Sequence, residues 1–343
     1  MNRRLKFFLG VMLLICMTIV GGCGGGGDKQ QASDSKEKVV LRIGYENNPG
    51  EPLDVALNKW KELVAKKSNG QMELELYPSS QLGSKNDLID QMIVGEPVMT
   101  LANGAWYADR GVKDFGIMFA PYLFDNWDQV WKVVGSDWYK EQSAKVEEKG
   151  IKIVSNWIYG TRHLALVKPY SQVSDLKGQK IRVPNNTIQV ESFKALGIAP
   201  TPMPLGEAYT ALQQGTIDGL ENSLQFLDSA KYGEVVKYVV LDGHIRDLTS
   251  WVCGKTFWES LTKEQQDILT STAEEASKYN SELQDAADKK AMEELKAQGV
   301  TIIEPDMAMR EQFKQESEGF YSSDAAKDWS PGLREKILNI IKM

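Results

Sequence analysis

The 343-residue chain sets 40 Lys and Arg against 47 Asp and Glu, a net charge of −7 at pH 7, which argues against nucleic acid as a partner. Its two histidines and three cysteines lie too far apart to suggest a metal centre or a disulfide framework. Beyond the leader, about 305 residues with many aromatics are enough to bury a core without disulfides, and that length favours two lobes.

The leader comes first. "MNRRLKFFLGVMLLICMTIVGGCGGGG" has a basic start (Arg3, Arg4, Lys6) and an apolar run over residues 7–20, followed by small residues and Cys23. This is a secretory signal, too short and too poorly flanked for a stable transmembrane helix. "IVGGC" resembles a bacterial lipobox, in which Cys23 becomes the lipidated first residue of the mature protein; the other reading is an ordinary signal peptide that contains a cysteine. Residues 1–22 are the expected signal peptide, and residues 23–38, rich in Gly, Ser and charge, are a flexible tether. Losing Arg3, Arg4 and Lys6 with no acid takes the net charge from −7 to −10. With Cys16 removed and Cys23 acylated, Cys253 is the one remaining thiol, so no internal disulfide is expected.

From residue 39 the pattern alternates between strand and helix. "VVLRIGYEN" reads as a strand. A helix follows, with Leu53, Ala56, Leu57, Trp60, Leu63 and Val64 on one stripe and Gly70 as its stop. "MELELYP" is the second strand. Ser84 and Asp87 form a capping box for a helix carrying Leu88, Ile89, Met92 and Ile93, and "VMTLAN" is the third strand. This rhythm predicts a parallel, doubly wound sheet.

A second stretch repeats it. "IKIVSNW", "GTRHLALVK" and "KIRVP" read as three strands, "TIQVESFKALG" and "EAYTALQQG" as helices stopped by glycine, with "TIDGLEN" after them. Ligands in open α/β sheets sit beyond the carboxyl ends of strands, where Glu46, Asn47, Asn103 and Arg182 all fall. Residues 263–298 contain neither Gly nor Pro and begin at a Thr262–Gln265 capping box. One helix of about 54 Å is expected at 1.5 Å per residue; two helices broken near residues 279–281 are the alternative.

Little in the chain suggests catalysis. His163 and His244 have no metal-ligand spacing, no G-x-S-x-G elbow occurs, and Cys253 has no visible partner. No catalytic residue, metal or cofactor is expected. Donors for a ligand are easier to find. Arg182 lies between Ile181 and Val183, so a permanently charged fork points opposite to two apolar side chains, and Pro184 ends the strand. Arg162 could supply a second fork and Asn222 a neutral donor and acceptor. From spacing alone, an internal ion pair is the stronger reading of Arg182.

Longer motifs shift that balance. "DLKGQKIRVPNN", "FKALGIAPTPMPLGEAYTALQQGTIDGLEN" and "YGEVVKY" closely resemble the solute-binding proteins of TRAP transporters (the DctP family), as do "YPSSQLGS" and "PYLFDNWDQVWKV". The resemblance spans roughly residues 40–330. It implies two α/β lobes joined by hinge strands, a periplasmic-binding-protein fold, with a long helix across both. Residues 39–159 plus 248–287 would then form the N-terminal lobe and residues 160–247 plus 300–343 the C-terminal lobe.

The resemblance also implies roles. Arg182 matches the arginine that salt-bridges a ligand carboxylate, Arg162 a second arginine, and Asn222 an asparagine on the same carboxylate. Glu46, Asn47, Asn103 and Trp106 are the candidates in the opposite lobe, with Trp157 nearer the hinge; core packing is an equal reading for both tryptophans. Leu205 replaces an aromatic common in relatives, and "GLENS" replaces "GQENP". Asn103 and Trp106 also depart from the pattern of sialic-acid binders, which leaves a smaller sugar acid, a dicarboxylate or another small acid. The implied protein is a monomer outside the cytoplasm, in the periplasm or at the cell surface. It touches the membrane only through Cys23 and delivers an organic acid to a TRAP membrane permease. A binding protein of an ATP-driven importer, a ligand-sensing lipoprotein and a surface hydrolase are the alternatives.

Overall fold

The computed structural model describes residues 38–343. The signal peptide, Cys23 and all of the tether but Lys38 lie outside the described residues. Strand β1 (Val39–Gly44), helix α1 (Pro52–Lys67), β2 (Met72–Tyr77), α2 (Lys85–Ile93) and β3 (Val98–Ala102) build the first half as the sequence rhythm predicts. β1 pairs in parallel with β2 and with β3, placing Leu41 beside Leu74 and Ile43 beside both Leu76 and Met99. Pro52 opens α1, where a missing N–H leaves no hydrogen bond unmade. The Ser84–Asp87 capping box is present at the start of α2. Helices α3 (Gly104–Asp109), α4 (Trp127–Val134) and α5 (Asp137–Glu148) follow.

The second half contains β4 (Ile151–Leu166), β5 (Lys180–Val183), α6 (Thr187–Ala195), β6 (Ala199–Pro202), α7 (Leu205–Gln213), β7 (Gly219–Ser223) and α8 (Leu224–Ser229). β8 (Tyr238–Gly254), α9 (Lys255–Ser260), α10 (Lys263–Ala297), β9 (Thr301–Ile303), α11 (Met307–Ser317) and α12 (Leu333–Lys342) complete it. The nine strands of the described residues join one mixed sheet in the order β2-β1-β3-β8-β4-β7-β5-β6, with β9 on β8. β5 runs parallel to β6 and β7, whereas β4 is antiparallel to β7 and β8. The chain therefore has an α/β fold of two lobes, and β4 and β8 run through both.

Three expectations need correction. The two strands expected at residues 151–157 and 160–168 are a single strand, β4, bent at Gly160 instead of ended by it. Gly160 has φ +142°, the register with β8 shifts between Ile158 and Gly160, and a Cβ there would lie 2.8 Å from Cβ of Ser223. The chain can pass through at that point only without a side chain. β8 has no counterpart among the expected strands, because Asp242, His244 and Asp247 interrupt its apolar pattern and yet are buried. Residues 300–343 are expected together in the C-terminal lobe. Phe313 of α11 does pack there with Phe193, but Leu333, Ile337 and Ile341 of α12 join the core of Val130 and Val133 on α4. The i, i+4, i+8 stripe of α12 is long enough to cover an apolar helix elsewhere.

α10 is one unbroken helix of 35 residues, about 53 Å long, opened by the predicted Thr262–Gln265 capping box. Near its start it packs on α1, where Trp60 Nε1 donates to Thr272 Oγ1 at 2.9 Å; near its end Ala291 and Leu295 enter the core around α8. Midway, Asn280 Nδ2 donates to the Ile158 carbonyl at 2.8 Å and Ser277 Oγ to the Asn156 carbonyl at 2.8 Å. The helix thus grips β4 just before its bend.

Candidate functional site

The ends of β1, β3, β5 and β7 meet around a cavity of about 310 Å³, lined by Glu46, Asn103, Arg182 and Asn222 among others. That volume is at the lower end of the ~300–1,000 Å³ range of small-molecule sites. Its position is the one expected for a ligand in an open α/β sheet.

Arg182 is built into it by strand alternation. Ile181 and Val183 are fully buried in the core of the second half, so the guanidinium between them projects from the other face. Its Nε and Nη2 both donate to the Met203 carbonyl, at 3.0 and 2.7 Å, and Met203 N in turn donates to the Val183 carbonyl at 3.2 Å. One edge of the fork is thereby fixed on neutral backbone. Nη1 has no protein partner among the described residues, and no carboxylate there pairs with the group. Burial presses the guanidinium pKa down from its ordinary value, with the nearby charges of Glu221 and Glu46 acting the other way. Asn186, one turn on, caps α6 by accepting from Gln189 N at 2.8 Å.

Arg162 also lines the cavity, but its donors are engaged. Nε and Nη2 form a fork on the Glu221 carboxylate, Nη2 to Oε1 at 2.7 Å, and Nη1 donates to Asp247 Oδ2 at 2.9 Å. The expected second open fork is instead the centre of an internal network, because β7 and β8 flank β4 and each brings an acid to it. His244 continues the network, its ring nitrogens 2.8 Å from Asp242 Oδ2 and 3.2 Å from Glu221 Oε2. Burial would disfavour its charge, but Asp242 and Glu221 outweigh that and lift its pKa to about 9. Glu221, which burial alone would raise, is brought down to about 2 by Arg162 and His244.

Among the other expected residues, Asn222 lines the cavity; its Oδ1 accepts from Ser223 N at 2.8 Å and Nδ2 has no protein partner among the described residues. Asn103 caps α3 through Oδ1 and donates Nδ2 to Asp247 Oδ1 at 3.3 Å. Glu46 is paired with Lys85 at 2.9 Å, and the Lys85 ammonium lies 5.3 Å from the centre of the Trp106 ring. All of these line the cavity. Two expected residues do not reach it. Asn47 turns away to donate to Glu51 Oε2 at 2.6 Å. Trp157 is fully buried in the core of α1 and α10, its ring centre 5.9 Å from that of Trp60 and 5.6 Å from that of Trp251.

Lys85, Tyr159, Gln189, Asp247 and Thr249 also line the site and were not anticipated. Lys85 stands directly after the capping Ser84, a position at the mouth of the first half that could have been noticed. Asp247 had no such signal, since the strand carrying it was itself unrecognised. Among the described residues no metal-binding group of His, Cys, Asp and Glu occurs, and no helix is long and apolar enough to cross a membrane. Cys253 is buried, and burial pushes its thiol pKa up to about 12.

The family model of bacterial extracellular solute-binding proteins, family 7 (DctP), matches residues 43–328. The chain belongs to this family. As a family 7 protein it is 30% identical over 264 residues to the 2,3-diketo-L-gulonate-binding periplasmic protein YiaO of Escherichia coli, covering 77% of this chain and 80% of that protein. It is 28% identical to the C4-dicarboxylate-binding periplasmic protein DctP of Rhodobacter capsulatus, covering 77% and 80%. Its structure resembles a TRAP periplasmic solute-binding protein from Ochrobacterium anthropi with bound L-fuconate, at 41% identity and a TM-score of 0.85, covering 89% of this chain and 99% of that one. A TRAP solute-binding protein from Actinobacillus succinogenes with bound L-galactonate matches at 36% identity and TM-score 0.84, again covering 89% and 99%. The chain is thus a TRAP solute-binding protein whose relatives bind small organic acids.

Proposed function

We propose that this family 7 protein captures a small organic acid, a sugar acid, and that Arg182 forms the salt bridge to its carboxylate. The observation carrying this reading is the state of Arg182: a buried guanidinium, fixed on one edge by the Met203 carbonyl and unpaired with any acid of the described residues, on the wall of the cavity. A fork already held in place loses little rotamer freedom on binding. Asn222 Nδ2 adds a neutral donor beside it. Ligands bound by the relatives, L-fuconate and L-galactonate, are sugar acids of the size this cavity suits.

The ligand would touch both halves and so favour their approach, since its full set of contacts exists only when they are close. Bonds between the halves support this: Thr187 N donates to Asp109 Oδ2 at 3.1 Å and Ser229 Oγ to Glu51 Oε1 at 2.7 Å. The loaded protein, tethered outside the cytoplasm through an acylated Cys23, would deliver its cargo to a TRAP membrane permease without chemical change to it. Isothermal calorimetry with L-fuconate, L-galactonate and L-gulonate tests the reading. Binding of at least one is expected, and Arg182→Ala should weaken it by about 2–5 kcal/mol with the fold retained. Unchanged affinity in that variant would remove Arg182 from the site.

A further inference from the structure

Three cations on the cavity wall differ in what neutralises them. Arg162 is shared by Glu221 and Asp247. Lys85, only 12% exposed, is held 2.9 Å from Glu46. Arg182 meets a neutral carbonyl and no acid of the described residues. Arg182 is therefore the one of these three cations with no carboxylate directly on it. The carboxylates of Glu46 and Asp247 line the same cavity, and Oε1 of Glu46 has no partner among the described residues.

Resting on the reading of Arg182 as the carboxylate anchor, we propose that the Glu46–Lys85 pair is a charge selector that admits polyhydroxy monocarboxylates and rejects dianions. A ligand hydroxyl can satisfy both members at once, donating to Glu46 and accepting from Lys85. A second ligand carboxylate cannot. It would face the Glu46 carboxylate across a buried space, while the ammonium that might receive it is already neutralised. Glu46 is ionised in this setting. Burial opposes its charge, but Lys85 and, further off, Arg182 and Arg162 bring its pKa below the ordinary value. The Trp106 ring, its centre 5.3 Å from the Lys85 ammonium, adds a cation–π contact that helps hold it in place. The selector sits in the first half and the anchor in the second, so ligand charge is read between the two.

The test compares aldonates with their own aldarates, which differ only in a carboxylate replacing the terminal CH2OH: galactonate with galactarate, and gulonate with glucarate. Calorimetry on the purified protein should show the aldonate bound roughly 100-fold more tightly within the better-binding pair. Glu46→Gln keeps the shape, frees Lys85, and should shrink that ratio by about tenfold or more, chiefly through tighter aldarate binding. Lys85→Met should move it the opposite way, since Glu46 is then unopposed, so the proposal stays testable if one variant fails to fold. An aldarate bound as tightly as its aldonate by the unmodified protein, or a ratio unmoved by both substitutions, overturns the selector and leaves Arg182 as anchor intact. Failure of every aldonate, aldarate and C4-dicarboxylate to bind would instead sink the anchor reading, and the selector with it.

Discussion

Arg162 and Arg182 project into the same cavity from the same half of the sheet, and their surroundings are opposite. Arg162, on β4, is flanked by β7 and β8 and receives one acid from each. Arg182, on β5, is flanked by β6 and β7 and receives a backbone carbonyl. What separates the acid-paired arginine from the one without an acid is the register of the neighbouring strands. The paired arginine organises the floor of the site. The unpaired one is buried with one edge of its fork on a backbone carbonyl and no acid of the described residues on it, the state that the proposed carboxylate would complete.

The sharpest way to break this contrast is to delete each guanidinium and compare stability with affinity. Arg162→Ala leaves Glu221 and Asp247 buried without their cation and should lower unfolding free energy by about 3–5 kcal/mol in urea titration. Arg182→Ala should leave unfolding nearly unchanged. If Arg162→Ala loses affinity and keeps its stability, the two residues have been assigned the wrong way round. Next in size, Arg182→Lys should recover only part of the affinity lost in Arg182→Ala, because a compact ammonium cannot fork a carboxylate. Full recovery in calorimetry would mean that a point charge suffices.

The acid–histidine network adds a pH signature that the Arg182 side lacks. His244 is raised from 6.5 to about 9, so its stabilisation is complete below pH 6.5 and is lost as pH rises through 9. Burial lowers His163 from 6.5 to about 4, so its stabilisation is present above pH 6.5 and is lost as pH falls towards 4. Glu221, lowered from 4.5 to about 2, adds a further loss between those values as pH falls. From these three groups, unfolding free energy should be greatest near pH 6.5, falling on each side by on the order of 1–3 kcal/mol, with Asp247, raised by burial, opposing the acid limb. In His244→Gln the alkaline limb should flatten, and a limb that survives would mean another group titrates there. The smallest effect concerns the contact between halves. Asp109→Ala removes the acceptor for Thr187 N at the start of α6 and should weaken ligand binding by only about 0.5 kcal/mol, with stability unmoved. A loss as large as that of Arg182→Ala would make this contact part of the binding site itself.

Elements whose stabilisation is local were legible before any coordinates. The β1–α1–β2–α2–β3 unit and both capping boxes follow from periodicity and from Ser84–Asp87 and Thr262–Gln265, residues three apart in the chain, whereas the continuity of α10 past residues 279–281 was left open. Arg182 was legible for the same reason, since its direction is set by two apolar neighbours. Asn47 misses the cavity, and Trp157 takes the core-packing one of its two readings, because a strand end shows that a side chain is near a cleft, but not which way a bend or turn aims it.

The amino-acid order alone determined the strands and helices of the first half, the apolar faces of the periodic helices, and that one permanent cation stands at a strand mouth. It could not determine whether that cation was already neutralised, because the partners of Arg162 lie 59 and 85 residues away and Met203 is 21 residues from Arg182. Pairings over such distances in sequence are chosen by strand order and register, and these are settled only when the whole sheet assembles.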